Sequence, residues 1–342
     1  MNMKRYTSLL FIAFIVVFVV AAGNTYLAGY ADRVEENKAA KSLKVYTTLP
    51  VEQAALLAAE YEKTAKVKVS FVPLAAKDLL SELKNHAPAD LVLADRDTLQ
   101  QAAAMGALAA YSSEQADLVA ADLKDSQGLW VGVWYDPFVF CANKDYLRTA
   151  GRIPETWSEL AADKKARIGL TDFLAADASA NLLFTLIAQY DEATAFAILR
   201  DLHPRVVQYA KYLSTPVRMA GMGEVDISIA VQSEAVRYIN EGFPLSLIYP
   251  ADGTACQLTG AGVVGTTGDA AAARGFLRWL LEDDAQLCLQ QQNFFFVPAN
   301  HETLAYKSFS GKNLVLFENY SDLTAEQKHD VLDRWVKNIR LK

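Results

Sequence analysis

Apolar and polar positions recur with recognisable periods along most of the chain. At 43–46 (LKVY) they alternate, which predicts a strand ending at Thr47-Thr48-Leu49-Pro50. Pro50 suits the first turn of a helix running to about Lys66. Residues 67–74 alternate again, 77–84 carry a helical period, and 89–94 (ADLVLA) make a compact buried strand. Asp95-Arg96-Asp97 follows and opens a helix ending near Gly106. A βαβαβα order of this kind predicts a parallel sheet covered by helices.

Further along, 130–143 (WVGVWYDPFVFCAN) reads as one long β segment interrupted at Asp136-Pro137. The run TWSE at 156–159 is a capping box that starts a helix at Trp157. A strand is predicted at 167–171, helices at 178–189 and 192–202, and short apolar strands at 227–231 and 245–249. Asp269 caps an amphipathic helix carrying Phe276, Leu277, Leu280 and Leu281 on one side. TAEQ at 324–327 caps a last helix bearing Val331, Leu332, Trp335 and Ile339. No internal repeat and no low-complexity tract interrupts this order.

Composition changes the picture at one place. The 342 residues are 52% hydrophobic and 21% charged, with net charge −7, which excludes a disordered chain and gives no electrostatic case for nucleic acid. Residues 8–31, however, carry no charge, lie behind Lys4 and Arg5, and offer small-residue cleavage patterns at Ala21/Gly23 and Gly29/Ala31. Residues 1–31 therefore read as a secretory signal peptide or as an uncleaved membrane anchor, the membrane being met only through this segment. In both cases the rest of the chain is outside the cytoplasm, and no cysteine is present near the run for a lipoprotein anchor. Residues 32–42 are a charged, Ala-rich linker. Beyond residue 31 the chain has 31 basic and 40 acidic side chains, a charge of −9. Cys141, Cys256 and Cys288 form no disulfide framework and no metal motif and read as buried thiols. Pairing of Cys141 with Cys256 depends on whether their segments are neighbours.

Candidate chemistry is sparse. His86, His203, His301 and His329 share no metal-ligand spacing, and there is no nucleophile elbow, P-loop or dinucleotide motif. No catalytic constellation, metal or cofactor is expected. Polar turns do recur just after apparent strands: Thr47-Thr48, Asp95-Arg96, Thr171-Asp172 with Ser179, Gln232-Ser233-Glu234, and Asp252-Gly253-Thr254. Strand ends of α/β sheets are where ligands bind, helped by helix N-termini; the same residues also serve as caps and turn formers.

The chain resembles the type II periplasmic, extracellular solute-binding proteins that include the ferric-iron, polyamine and phosphorylated-solute receptors of ABC transporters. The segments that carry the likeness are LKVYTT at 43–48, PETWSEL at 154–160, GEVDI at 223–227, YPADGT at 249–254, the 273–286 helix and FVPA at 296–299. The resemblance implies an α/β, two-lobed fold with mixed sheets flanked by helices, two hinge crossings at 134–140 and 249–256, and a solute closed between the lobes. Residues 43–137 with 255–342 would form the first lobe and 138–254 the second. Cys141 and Cys256 would then stand near the hinge on neighbouring strands.

Three solute classes are weighed. The iron-binding branch places a tyrosine pair where this chain has IAVQSE at 229–234, with Tyr238 four residues later, so ferric iron is disfavoured. A polyamine would be held by Asp95, Asp172, Glu234 and Asp252 with Trp134 and Tyr135. An anionic or zwitterionic solute such as a phosphonate or sugar phosphate would use Arg96 or Arg218 with hydroxyls such as Thr48 and Ser179, and this reading is favoured. Arg96 is equally placed to pair with Asp95 or Asp97, and Trp134 and Tyr135 to pack at the hinge. The implied partner is an ABC permease. Its rivals are a membrane-tethered sensory receptor on the same lobes and, least favoured, an enzyme on this fold.

Overall fold

The computed structural model describes residues 42–309, 312–321 and 323–342. The signal peptide or anchor and residues 32–41 of the linker lie outside these; Ser42, assigned to the linker, already belongs to the first strand. No helix among the described residues is long and apolar enough to cross a membrane.

The N-terminal pattern folds as its periods dictate. Strand β1 (Ser42–Thr47), helix α1 (Val51–Ala65), β2 (Lys68–Pro73), α2 (Ala76–Lys84), β3 (Leu91–Asp95) and α3 (Arg96–Ala104) follow in turn. The strands lie parallel in the order β2-β1-β3, with Val45 opposite both Phe71 and Leu91. After β4 (Val131–Asn143) come α4 (Trp157–Ala162), β5 (Ile168–Thr171), α5 (Asp177–Tyr190), α6 (Glu192–Leu202) and β6 (Val206–Ala210). Next are α7 (Ser214–Gly221), β7 (Ile227–Val231), α8 (Gln232–Asn240), β8 (Leu245–Ile248) and β9 (Cys256–Val264). The chain closes with α9 (Ala270–Leu280), α10 (Asp283–Gln291), β10 (Val297–Pro298) and α11 (Ala325–Trp335). Strand β6 and helix α7 have no counterpart in the sequence reading, and the helix expected over 273–286 is broken into α9 and the start of α10.

Strand β4 is the spine of the molecule, and all 13 of its residues are buried. The order across it is β2-β1-β3-β9-β4-β7-β5-β6, with β9 antiparallel to both β3 and β4. The interruption expected at Asp136-Pro137 does not break the strand. It marks where β4 changes partners: Pro137 is opposite Cys256 of β9, while Phe138 is opposite Val231 of β7. A proline that can donate no ladder hydrogen bond is tolerated where one ladder ends and another begins.

Side chains of β4 alternate between cores, as the period of two requires. Phe138, Phe140 and Ala142 join Trp157, Leu182 and Ile229, whereas Val139 and Cys141 join Val217, Met219 and Ala230 on the opposite face. A separate core under the first sheet gathers Leu43, Val45, Leu91, Val133, Phe276 and Leu277. The C-terminal helix does not follow its sequence neighbours into that first core. Val331, Trp335 and Ile339 pack in the second, with the Trp335 ring 4.8 Å from Phe173. Residues 312–321 reach it beside the 249–256 crossing, where Thr254 N donates to Val315 O (3.0 Å) and Phe317 N to Thr254 O (2.9 Å). A unit running unbroken from 255 to 342 therefore differs from the packing, because the apolar stripe of α11 is buried against the Phe138/Phe140 face of the second sheet.

The three cysteines are free and buried. Cys256 lies opposite Pro137 and Cys141 four positions further along β4, about 13 Å at the rise of a strand. They sit on adjoining strands near the crossing, but too far apart for a disulfide.

Candidate functional site

The strand ends gather where β4 passes between the sheets. Asp136 is the one carboxylate in the buried run 131–143, and it is 7% exposed. It accepts hydrogen bonds from Ser233 N (2.9 Å) and Ser233 Oγ (2.5 Å), so it caps the N-terminus of α8 from a different strand. Burial pushes its carboxyl up to about 7; the Ser233 donors oppose the shift, and the nearby Glu234 charge adds to it.

Gln232 is fully buried beside it and accepts from the Tyr249 hydroxyl at 2.7 Å, while its Nε2 reaches Phe295 O at 3.4 Å. Burial and the Asp136 charge push the Tyr249 phenol up to about 12. Glu234 is spent on Arg237 at 2.5 Å. Tyr135, next to Asp136, is 6% exposed, and burial raises its phenol above the ordinary value. Trp134 points into packing, stacked on Phe296 with centroids 5.7 Å apart.

At the end of β1, Thr47 is fully buried; its Oγ1 donates to Leu93 O (2.7 Å) and accepts from Leu49 N (3.0 Å). Thr48 is half-buried, and its amide donates to Leu93 O at 3.3 Å. Helix α1 follows with Pro50 at its cap and no side-chain cap, so its first N–H groups keep their donors free of side chains. At the end of β3, Asp95 caps α3 by accepting from Thr98 N (2.9 Å) and Thr98 Oγ1 (2.8 Å). Arg96 Nη2 donates to Asp122 O (2.8 Å), and its guanidinium lies 3.5 Å from the Tyr320 ring centroid and 5.9 Å from that of Trp130. Arg96 Nε is buried with no hydrogen-bond partner among the described residues.

On the second sheet, Thr171 ends β5 and its Oγ1 donates to Tyr212 O at 3.4 Å. Asp172 beyond it pairs with Arg340 (3.1 Å). Ser179 is fully buried, its hydroxyl bonded to the carbonyls of Asp172 (2.8 Å) and Ala176 (2.7 Å). Helix α7, after β6, has no side-chain cap.

Several expected ligand residues are drawn elsewhere. Arg218 lies 3.8 Å from Glu224, with a 44% exposed side chain. Glu224 O in turn accepts from Arg167, next to the first residue of β5, so Arg218 belongs with the N-terminal ends of the strands. Asp252 accepts from Trp157 N (3.1 Å) and from the Tyr190 hydroxyl (3.0 Å), tying a turn to α4. Thr254 is fully buried and donates to Phe138 O at 2.9 Å. Tyr238 packs edge-on to Phe243 with Arg237 over its face. No group of three His, Cys, Asp or Glu suited to a metal occurs among the described residues.

Asp136, Tyr249, Tyr320 and Arg340 were not singled out from the sequence. Asp136 alone had a readable signal, a carboxylate inside an otherwise apolar strand. The structure thus joins Gln232, Ser233 and Glu234 around Asp136, sets Arg96 against Tyr320, packs Tyr135 in the first core, and leaves Arg218, Asp252, Thr254, Ser179 and Trp134 in supporting contacts.

Comparison with other proteins agrees with this architecture. An uncharacterized protein of Haemophilus influenzae is 27% identical over 294 residues, covering 80% of this chain and 84% of the relative. The periplasmic binding protein AfuA from Actinobacillus pleuropneumoniae, with fructose-6-phosphate bound, superposes with a TM-score of 0.68 at 23% identity, covering 88% of this chain and 100% of that one. Iron-bound HitA from Pseudomonas aeruginosa gives 0.68 at 17% identity, over 86% and 97%. At these identities the likeness to solved structures shows the fold, the type II periplasmic binding fold. Residues 56–314 match the bacterial extracellular solute-binding proteins, and with two sheets sharing one buried strand and their polar ends gathered at its crossing, the chain belongs to that family.

Proposed function

We propose that the protein is the extracytoplasmic receptor of an ABC importer and closes its lobes on a small anionic or zwitterionic organic solute, of the sugar phosphate or phosphonate kind. The observation that carries this reading is the Arg96 guanidinium: its Nε is buried and has no partner among the described residues, and it stands at a strand end. A buried guanidinium N–H without an acceptor is costly even where another N–H of the group, here Nη2 on Asp122 O, is satisfied, and a phosphate or carboxylate oxygen relieves that cost. The uncapped N-termini of α1 and α7 add donors of the same sign.

The cationic reading is weakened by the same contacts. Each of the four carboxylates that a polyamine would need is already engaged: Asp95 with Thr98, Asp172 with Arg340, Glu234 with Arg237, and Asp252 with Trp157 and Tyr190. Ferric iron is weakened by the absence of a tyrosine pair at 229–234. The sugar phosphate in AfuA supports the class.

A thermal-shift series with sugar phosphates, phosphonates, polyamines and ferric salts tests the assignment, since a ligand bound only by the native state raises apparent stability. A shift with phosphorylated or carboxylated solutes is expected; one with ferric salts or polyamines alone overturns it. N-terminal sequencing of the exported chain separates the importer receptor from the tethered sensor. A start near Asn24 or Asp32 favours the former, and an intact Met1 the latter.

A further inference from the structure

The two lobes touch at a second place, away from the shared strands. Helix α3 belongs to the first lobe, its Leu99 and Ala102 buried in that core. Helix α11 belongs to the second through Val331 and Trp335. Between them, Asp97 in the first turn of α3 forms an ion pair with Lys328 of α11, and the Lys328 side chain is only 23% exposed. The Lys328 ammonium is also 5.5 Å from the ring centroid of Phe184 on α5, which seats it on the second lobe. One residue earlier on α3, Arg96 stacks at 3.5 Å on Tyr320, from the segment that leads into α11. Asp97 is thus held by a helix carried on the second lobe, while Arg96 meets a segment whose Leu314 and Leu316 pack against the first core and whose Phe317 packs in the second.

We infer that the Asp97–Lys328 ion pair forms a latch between the lobes, which sets how far they stand open before solute arrives. Contacts made in only one arrangement of two bodies bias the equilibrium toward it. Parting the lobes about β4 separates α3 from α11 and breaks the pair. The latch responds to salt, because a pair that is partly solvated is screened. The latch depends on the two-lobed fold and on no particular solute, and the solute-free protein tests it.

The test is a pulsed dipolar distance measurement on the exported chain, with spin labels at the exposed positions Glu52 on α1 and Arg200 on α6. The native cysteines are buried and stay unlabelled. Lys328→Gln and Asp97→Asn are each expected to add a longer-distance population at low salt, and the reversed pair Asp97→Lys with Lys328→Asp to remove it again. Unchanged distributions in both Lys328→Gln and Asp97→Asn overturn the latch, whatever solute is later found.

Discussion

Asp136 and Ser233 meet at the point where the shared strand leaves one sheet for the other, the carboxylate accepting both the Ser233 amide at 2.9 Å and its hydroxyl at 2.5 Å. A helix N-terminus in the second lobe is thereby pinned to the strand that both lobes own.

That carboxyl makes stability depend on pH. Burial lifts it to about 7 in the folded chain, above its value in the unfolded one, so the native state holds a proton that the unfolded state has released. Its contribution is full below the unfolded pKa and is lost as pH rises through about 7. Urea unfolding between pH 4 and pH 8 should show stability falling by a few kcal/mol across the window. Asp136→Asn should flatten this slope; an equally steep slope in the variant would assign it to other groups.

Arg96 and Arg218 separate cleanly. Arg96→Gln removes a charge-assisted donor, worth about 10–100-fold in solute affinity. Arg218→Ala breaks only exposed contacts, to Glu224 at 3.8 Å and from Nη1 to Met222 Sδ at 3.1 Å, and should leave affinity and stability within about 0.5 kcal/mol of the parent. Calorimetry with the solute found in the thermal-shift series reads both.

The turn at the second crossing requires glycine. Gly253 has φ +96°, and a Cβ there would lie 2.8 Å from the Phe317 ring. Gly253→Ala should cost about 1–3 kcal/mol, seen as a lower urea midpoint. An unchanged midpoint would mean that the 312–321 segment does not press on this turn.

The thiols should be inert. Burial pushes Cys141 and Cys256 up to about 12 and Cys288 up to about 11, so little nucleophilic thiolate exists at neutral pH. A thiol reagent is expected to titrate none of the three in the native protein and all three in denaturant.

What was legible in the sequence was local. The period of 43–106, the Thr324 capping box, completed in the structure by Gln327, and the Asp269 cap on Ala272 all hold. Each depends on residues within one or two turns of each other. The capping box at Thr156 holds only in half: Thr156 caps Glu159 N as expected, but the Glu159 side chain turns to Glu155 N and Arg152. Arg218 is read from the sequence as a ligand for an anionic solute, yet its helix places it beside Glu224, because which end of a helix faces the cleft is set by the strands it connects.

The sequence by itself determined the alternation of strands and helices, the burial of the cysteines and the family likeness, since all three follow from short-range pattern and composition. Only the tertiary structure decided which polar residues share the crossing. Asp136 reaches Ser233 across 97 positions and Lys328 reaches Asp97 across 231. Such pairs form because sheet order and core packing bring distant segments together, and no periodicity along the chain encodes that order.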